Sequence, residues 1–250
     1  MIEGSTAILA AYDGERHAAH RFQFGQDPAA MARAYLGQAL WLRGDFAAAA
    51  AASADALGFA RAIGHLYSLA HVIAYSAWME QYIGADARLA LLADELTALC
   101  TKERIPLFLG NGVMLTGWLR HRRGEADGPA VYEQGLDIYR ATGSRCFLPY
   151  RWSVLGEALS QRGDHQRAAA LFEDAIAAIA GTRERWAEPE VHRLHAAALA
   201  RAGADREQVI ASFERAISSA RELGLGAWEQ RAVAGLAAFA AQFAPNGSAA

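Results

Sequence analysis

The chain predicts an all-α fold, an α-solenoid of about five helical hairpins with repeats of about 40 residues and a C-terminal capping helix. Three observations carry that prediction. Glycine recurs at Gly44, Gly84, Gly124, Gly163 and Gly203, steps of about forty residues. An aspartate follows each glycine within three residues, namely Asp45, Asp86, Asp127, Asp164 and Asp205. Between these pairs run stretches rich in alanine and leucine, with only 6 prolines in the chain. Alanine is the best helix former. A repeat of this period marks stacked helix pairs, each unable to bury its apolar face alone.

Composition narrows the class further. Of 250 residues, 53% are apolar and 20% charged, the balance of a folded domain and not of a disordered chain. A net charge of -3, from 24 basic and 27 acidic residues, gives no electrostatic reason to expect nucleic acid or a membrane surface as partner. The two cysteines, Cys100 and Cys146, have no ligand spacing and read as small buried residues in a reducing compartment. Glu3, Asp13, Glu15 and Arg16 make the opening unlike a signal peptide. The alanine stretch from Ala47 to Ala52 is too short and too weakly apolar to span a bilayer, and no run of about 18 apolar residues is expected. These features point to a cytoplasmic protein with no membrane segment and no cofactor.

The elements follow in order. Residues 1–26 read as an N-terminal capping segment, with Ile8–Phe22 as one irregular helix over the open face of the first repeat. The array occupies residues 27–243. Its hairpins pair Asp27–Arg43 with Phe46–Ile63, His65–Ile83 with Ala87–Arg104, and Pro106–Arg123 with Gly128–Thr142. Two more pair Arg145–Arg162 with His165–Ala180, and Pro189–Ala202 with Asp205–Leu223. A last helix, Trp228–Phe243, closes the array, and residues 244–250 read as a disordered tail. Each turn glycine supplies the left-handed backbone that ends a helix, and the aspartate after it can cap the next. A second set, Gly64, Gly143, Gly181 and Gly224, should end the second helices. Pro106 and Pro189 stand where a helix can begin.

The fourth hairpin reads Trp152, Leu155, Gly156, Leu159, Ala168, Phe172 and Ala175. This resembles the tetratricopeptide repeat (TPR) pattern. In such a repeat Gly156 and Ala168 let two helices approach, Phe172 fills the gap, and Ala175 faces the next repeat. The other hairpins keep parts of it: Leu36, Gly37, Leu40, Ala49 and Ala56; Ala77 and Ala90; Gly117, Tyr132 and Gly135; Ala196, Phe213 and Ala216. A period near forty, against about 34 for ordinary TPRs, implies helices longer by about a turn.

Further segments carry a second resemblance over nearly the whole chain. They are Phe22-Gln23-Phe24-Gly25-Gln26-Asp27-Pro28, Leu40-Trp41, Gly117-Trp118, Glu184-Arg185-Trp186-Ala187-Glu188, Val191-His192-Arg193-Leu194, Phe213-Glu214-Arg215-Ala216-Ile217 and Trp228-Glu229-Gln230-Arg231-Ala232. Together they resemble the C-terminal TPR region of large bacterial signalling proteins. Those carry an adenylate/guanylate cyclase or regulatory domain, then a predicted ATPase, then these repeats. The resemblance implies a sensor or scaffold arm. It transfers no activity, because the chain has no Gly-x-x-x-x-Gly-Lys-Ser/Thr sequence and no room for a cyclase.

In a TPR array the first helix of each hairpin lines the concave face. With Gly156 as anchor, the inward-facing residues are Met31, Gln38 and Trp41; His71, Trp78, Gln81 and Tyr82; Asn111, Met114, Trp118, His121 and Arg122; Tyr150, Ser153, Glu157 and Gln161; Glu190, Arg193 and Arg201. Such a groove is aromatic near Trp41, Trp78 and Trp118 and charged toward its C-terminal end. It suits a peptide or partner helix. A tryptophan at helical spacing also has a plain reading as core, and Trp152 is assigned to the core outright. The pairs His17/His20 and His192/His195, with Glu188 and Glu190 before the second, read as histidines at helix interfaces more readily than as metal ligands. Arg120, Arg122 and Arg123 suit a helix C-terminus. No catalytic constellation stands out. The expectation is therefore a regulatory interaction scaffold, with a small-molecule sensor as the alternative, and with a homodimer admitted if the last helix exposes an apolar face.

Overall fold

The computed structural model describes residues 1–243, so the expected tail at 244–250 lies outside the described residues. Thirteen α-helices and no strand occur among the described residues. The chain forms two compact units that divide between Arg145 and Cys146.

The first unit holds α1 (Ile2–Ala11), α2 (His20–Gln23), α3 (Pro28–Arg43), α4 (Phe46–Ile63), α5 (Leu66–Ile83), α6 (Asp86–Lys102), α7 (Pro106–Arg122) and α8 (Gly128–Ala141). From α3 onward each helix packs against the next, α5 also packs on α3 and α7, and α1 lies on α3. The closest pairing is α7 with α8. Gly110, Gly117, Gly128 and Gly135 make it possible: a β-carbon on Gly117 would stand 2.3 Å from the Tyr132 backbone nitrogen. The second unit holds α9 (Leu148–Gln161), α10 (His165–Thr182), α11 (Glu188–Arg201), α12 (Arg206–Leu223) and α13 (Gly226–Ala241). There α11 is central, touching the other four helices. Phe172 and Trp228 are its largest fully buried side chains.

The five hairpins fall where the sequence places them. Gly44, Gly84, Gly124, Gly163 and Gly203 all have positive φ at the corners. The aspartates beside them behave differently from expectation. Of the five, Asp164 accepts from a first-turn N–H, that of Arg167. Three others bind arginines instead: Asp45 pairs with Arg43, Asp127 with Arg120 at 3.0 Å, and Asp86 with Arg122 at 3.4 Å. An arginine in the last turn of a first helix reaches these carboxylates and competes with the capping geometry. Gly181 also departs from its expected place. It lies inside α10, and Arg183 takes the left-handed turn at φ 60.

The N-terminal segment is not one helix over Ile8–Phe22. It breaks after Ala11, because the Asp13 carboxylate accepts from the Glu15 and Arg16 N–H groups at 2.9 Å and folds a local turn. Asp27 then ties the segment to the first hairpin. Its fully buried carboxylate caps α3 through Ala29 and Ala30 and accepts from the Tyr12 hydroxyl at 2.9 Å. Its N–H donates to Ser68 Oγ on α5 at 2.8 Å.

Helix α4 is longer and more apolar than the alanine stretch alone suggests. At 18 residues and mean hydropathy 1.3 it meets the length and composition of a membrane span. Its apolarity comes mainly from alanine, and it carries Asp55, paired with Arg33, and Arg61, paired with Glu95. Its buried face, Ala49, Ser53, Ala56, Leu57 and Ala60, is a single helical stripe, as in a helix packed on protein.

Candidate functional site

The first helices of the hairpins carry the candidate residues, and the two units present different chemistry. In the first unit an aromatic cluster joins α3, α5 and α7. The His71 ring stacks on Tyr75 at 4.7 Å and meets Tyr35 at 5.7 Å and Phe108 at 5.1 Å. Tyr35 lies 5.2 Å from Tyr75, and Tyr67 lies 5.3 Å from Phe108. Trp78 continues the row beside Tyr75, and Trp41 packs on Tyr82 at 4.8 Å.

Burial divides the residues expected to line a groove. Asn111 is 1% exposed and His71 is 9% exposed, with Trp41, Trp78, Tyr82 and Tyr150 between these values. The Asn111 amide donates to the Leu107 carbonyl at 3.0 Å. Burial pushes the His71 imidazole down to about 4, so it is neutral at ordinary pH, and its Nε2 has no hydrogen-bond partner among the described residues. Trp118, Glu157 and Arg193 are half-buried, and Arg122 is part-exposed at the end of α7. The Arg122 guanidinium lies 5.1 Å over the Trp118 ring and reaches Asp86 on α6. Trp152, assigned to the core by sequence, is also half-buried.

Three half-buried tyrosines, Tyr35, Tyr67 and Tyr75, escaped the sequence projection. The signal for two of them was present: Tyr67, His71 and Tyr75 recur at a spacing of four, one face of a helix. Tyr35 faces them across the α3–α5 contact, which only the packing supplies.

In the second unit the face is charged. Arg193 binds Glu190 through two nitrogens at 2.7 and 2.9 Å, and Arg231 reaches the same carboxylate at 3.1 Å. Burial acts to raise the Glu190 carboxyl, but the two guanidiniums outweigh it and hold it below the usual carboxylate range. Burial acts to lower the Arg193 guanidinium, but Glu190, helped by the field of Glu157 on α9, holds it above the ordinary arginine value. Beside this cluster Tyr150 packs on Trp186 at 5.4 Å, and the Trp186 indole N–H donates to Glu184 at 3.0 Å.

The remaining sequence candidates have structural surroundings. Arg120 is engaged by Glu125 and Asp127. The His17 and His20 rings are 5.0 Å apart. His195 sits against Phe172 and shares Ser212 with the His192 carbonyl. No group of three or more histidine, cysteine, aspartate or glutamate side chains among the described residues is placed to hold a metal ion. His65 Nδ1 lies 2.9 Å from Ser68 Oγ, but Ser68 is fully buried and takes the Asp27 N–H. Cys100 is buried and its thiol is pushed up to about 12, whereas Cys146, expected to be buried, is exposed. Helix α13 turns Val233, Ala234, Ala237, Ala238 and Ala241 outward, a continuous apolar strip.

These elements define an all-α protein of successive helical hairpins with aromatic and charged faces on its first helices. No family model matches the chain. A protein of Rhizobium meliloti (strain 1021), named Uncharacterized protein R02095, is 28% identical over 228 residues. The match covers 90% of this chain and 22% of that protein, so the chain spans about a fifth of the length of the curated relative it matches.

Proposed function

We propose that the chain is a regulatory protein-interaction module, a TPR-like α-solenoid that captures a peptide or partner domain on the first helices of its hairpins. The observation that carries this reading is the half-buried aromatic row of Tyr35, Tyr67 and Tyr75 around His71 and Phe108. Tyrosines held by ring contacts offer apolar area and a hydroxyl at little further loss of side-chain freedom, which is what partner faces use. The solenoid reading draws support from the packing within each unit, where helices meet their sequence neighbours and alternate first helices meet each other. The regulatory reading draws on the resemblance to signalling proteins. On this reading the protein works in the cytoplasm, has no enzymatic activity of its own, and uses the apolar strip of α13 when it pairs with a second copy.

The decisive experiment is affinity capture with the wild type and with Tyr35→Ala/Tyr75→Ala, folding being checked by circular dichroism. Loss of the same partner in the folded variant supports the face. Capture of every partner by both proteins refutes it. Scattering in solution tests the architecture: a compact 250-residue globule has a radius of gyration of about 18 Å, and an extended array must clearly exceed it.

A further inference from the structure

Among the described residues, three other than glycine hold a positive φ: Arg104, Phe147 and Arg183. Arg104 and Arg183 stand just past α6 and α10, where a left-handed residue commonly ends a helix. Phe147 stands instead at the entry to α9, as its N-cap, with φ 62 and ψ 7. That place usually takes extended backbone. A bulky side chain in the left-handed region is an outlier, and neighbouring contacts must offset its cost.

Glu184, in the loop between α10 and α11, supplies such a contact. Its two carboxylate oxygens accept the Phe147 N–H at 2.9 and 3.0 Å. Oε1 also accepts the Trp186 indole N–H at 3.0 Å. One carboxylate thereby brings the two residues together, and their rings meet edge to face at 5.7 Å. The loop itself is anchored elsewhere. Arg185 binds Glu188 and Glu222, each at 2.6 Å, and the Trp186 carbonyl accepts from the Trp228 indole N–H at 3.2 Å. Opening of the Glu184 contact therefore moves Phe147 and leaves the loop in place.

We propose that Phe147 is a lid on Trp186 and that Glu184 is its latch. Closed, the carboxylate holds the strained turn, and the Phe147 ring covers one side of the half-buried indole. Open, Phe147 relaxes to the extended backbone of an ordinary N-cap and its ring leaves Trp186. Opening bares Trp186 where it packs on Tyr150 at 5.4 Å, next to the Glu190–Arg193 pair. The strain opposes the latch, so a ligand that prefers the bared surface selects the open position. Only this last step rests on the proposed function.

Hydrogen exchange and NMR of the full chain without a partner test the latch, so the outcome is separate from that of affinity capture. Glu184→Gln keeps the shape of the side chain and removes its charge. It should lower the protection of the Phe147 amide roughly tenfold and weaken the nuclear Overhauser contact between the Phe147 and Trp186 rings, with α10 and α12 unchanged. A second pair of variants isolates the strain. Phe147→Gly removes both the ring and the cost of the left-handed turn, whereas Phe147→Ala removes the ring and keeps the cost. After correction for intrinsic exchange rates, the amide at position 147 should be roughly tenfold better protected in Phe147→Gly than in Phe147→Ala. Unchanged protection or an undiminished ring contact in Glu184→Gln overturns the latch. So does a loss of protection spread evenly through α9 to α13, which makes Glu184 an ordinary part of the fold. Equal protection in the two position-147 variants overturns the strained lid.

Discussion

A β-carbon on Gly156 would stand 3.1 Å from Cε2 of Phe172, whose ring is fully buried between α9 and α10. The missing side chain and the filled gap are therefore one feature. The neighbour is a ring edge, which can give by a few tenths of an ångström. At Gly117 the neighbour is the Tyr132 backbone nitrogen at 2.3 Å, and only movement of a whole helix relieves it. We expect Gly156→Ala to cost about 1 kcal/mol or less, since alanine also favours the helix by ~0.5–1 kcal/mol. Gly117→Ala should cost about 2–3 kcal/mol. Urea unfolding of both variants checks the order, and a Gly117→Ala protein as stable as the wild type would contradict the close approach.

Removing the ring itself should be worse. Phe172→Ala empties a fully buried site and should cost about 3–5 kcal/mol. A midpoint close to the wild type would mean that α9 and α10 collapse into the space.

The Glu190 cluster makes a prediction with a built-in control. Glu190→Ala leaves Arg193 and Arg231 without the carboxylate they share. Breaking a buried pair in this way typically costs about 3–5 kcal/mol, whereas replacing both partners by apolar groups is often near neutral. Glu190→Met/Arg193→Met should therefore recover much of the loss. A double variant no better than the single one would show that the loss does not arise from a stranded Arg193 guanidinium.

Acid should weaken each unit chiefly through one strongly shifted histidine. Burial pushes His71 in the first unit and His192 in the second from 6.5 down to about 4. As pH falls below 6.5 the unfolded chain takes up protons that the folded chain refuses. The histidine contribution is thus full above the unfolded value, declines through the window down to about 4, and levels off below it. Each histidine contributes about 3 kcal/mol over that window. His71→Leu should flatten the loss between about pH 7 and about pH 5 in the first unit alone. Unfolding midpoints followed by tryptophan fluorescence measure it, and an unchanged pH slope would place the sensitivity elsewhere.

Asp27 tests the N-terminal segment. Asp27→Ala removes a cap that is typically worth about 1 kcal/mol and leaves the Tyr12 hydroxyl without its acceptor. Hydrogen exchange over residues 1–24 should rise while α7 and α8 stay protected. Equal protection in variant and wild type would show that other contacts hold the segment.

The helical hairpins were legible because their signals are local. A glycine that must adopt positive φ, a proline at a first turn and a run of alanines act within a few residues, and helix boundaries follow from them. Gly156 and Phe172 were legible for a related reason, since two helices joined by a short turn must meet at that spacing. The aspartates after the glycines misled because a cap and an arginine pair use the same carboxylate. Choosing between them takes the position of Arg120 or Arg122 in space. Cys146 lies just before α9, where nothing nearby in sequence tells exposure from burial.

The faces of the first helices were only half legible. Periodicity put Trp41, Trp78 and Trp118 on comparable positions, yet the first two are buried and Trp118 keeps part of its ring exposed beneath Arg122. The same helical stripe serves as core or as surface according to what lies across from it. Sequence alone determined that this chain is helical and where its helices turn, because those outcomes depend on backbone preferences a few residues long. The tertiary structure decided which side chains are hidden and which carboxylate each arginine finds. Those outcomes depend on residues brought together from different helices, whose packing no local preference encodes.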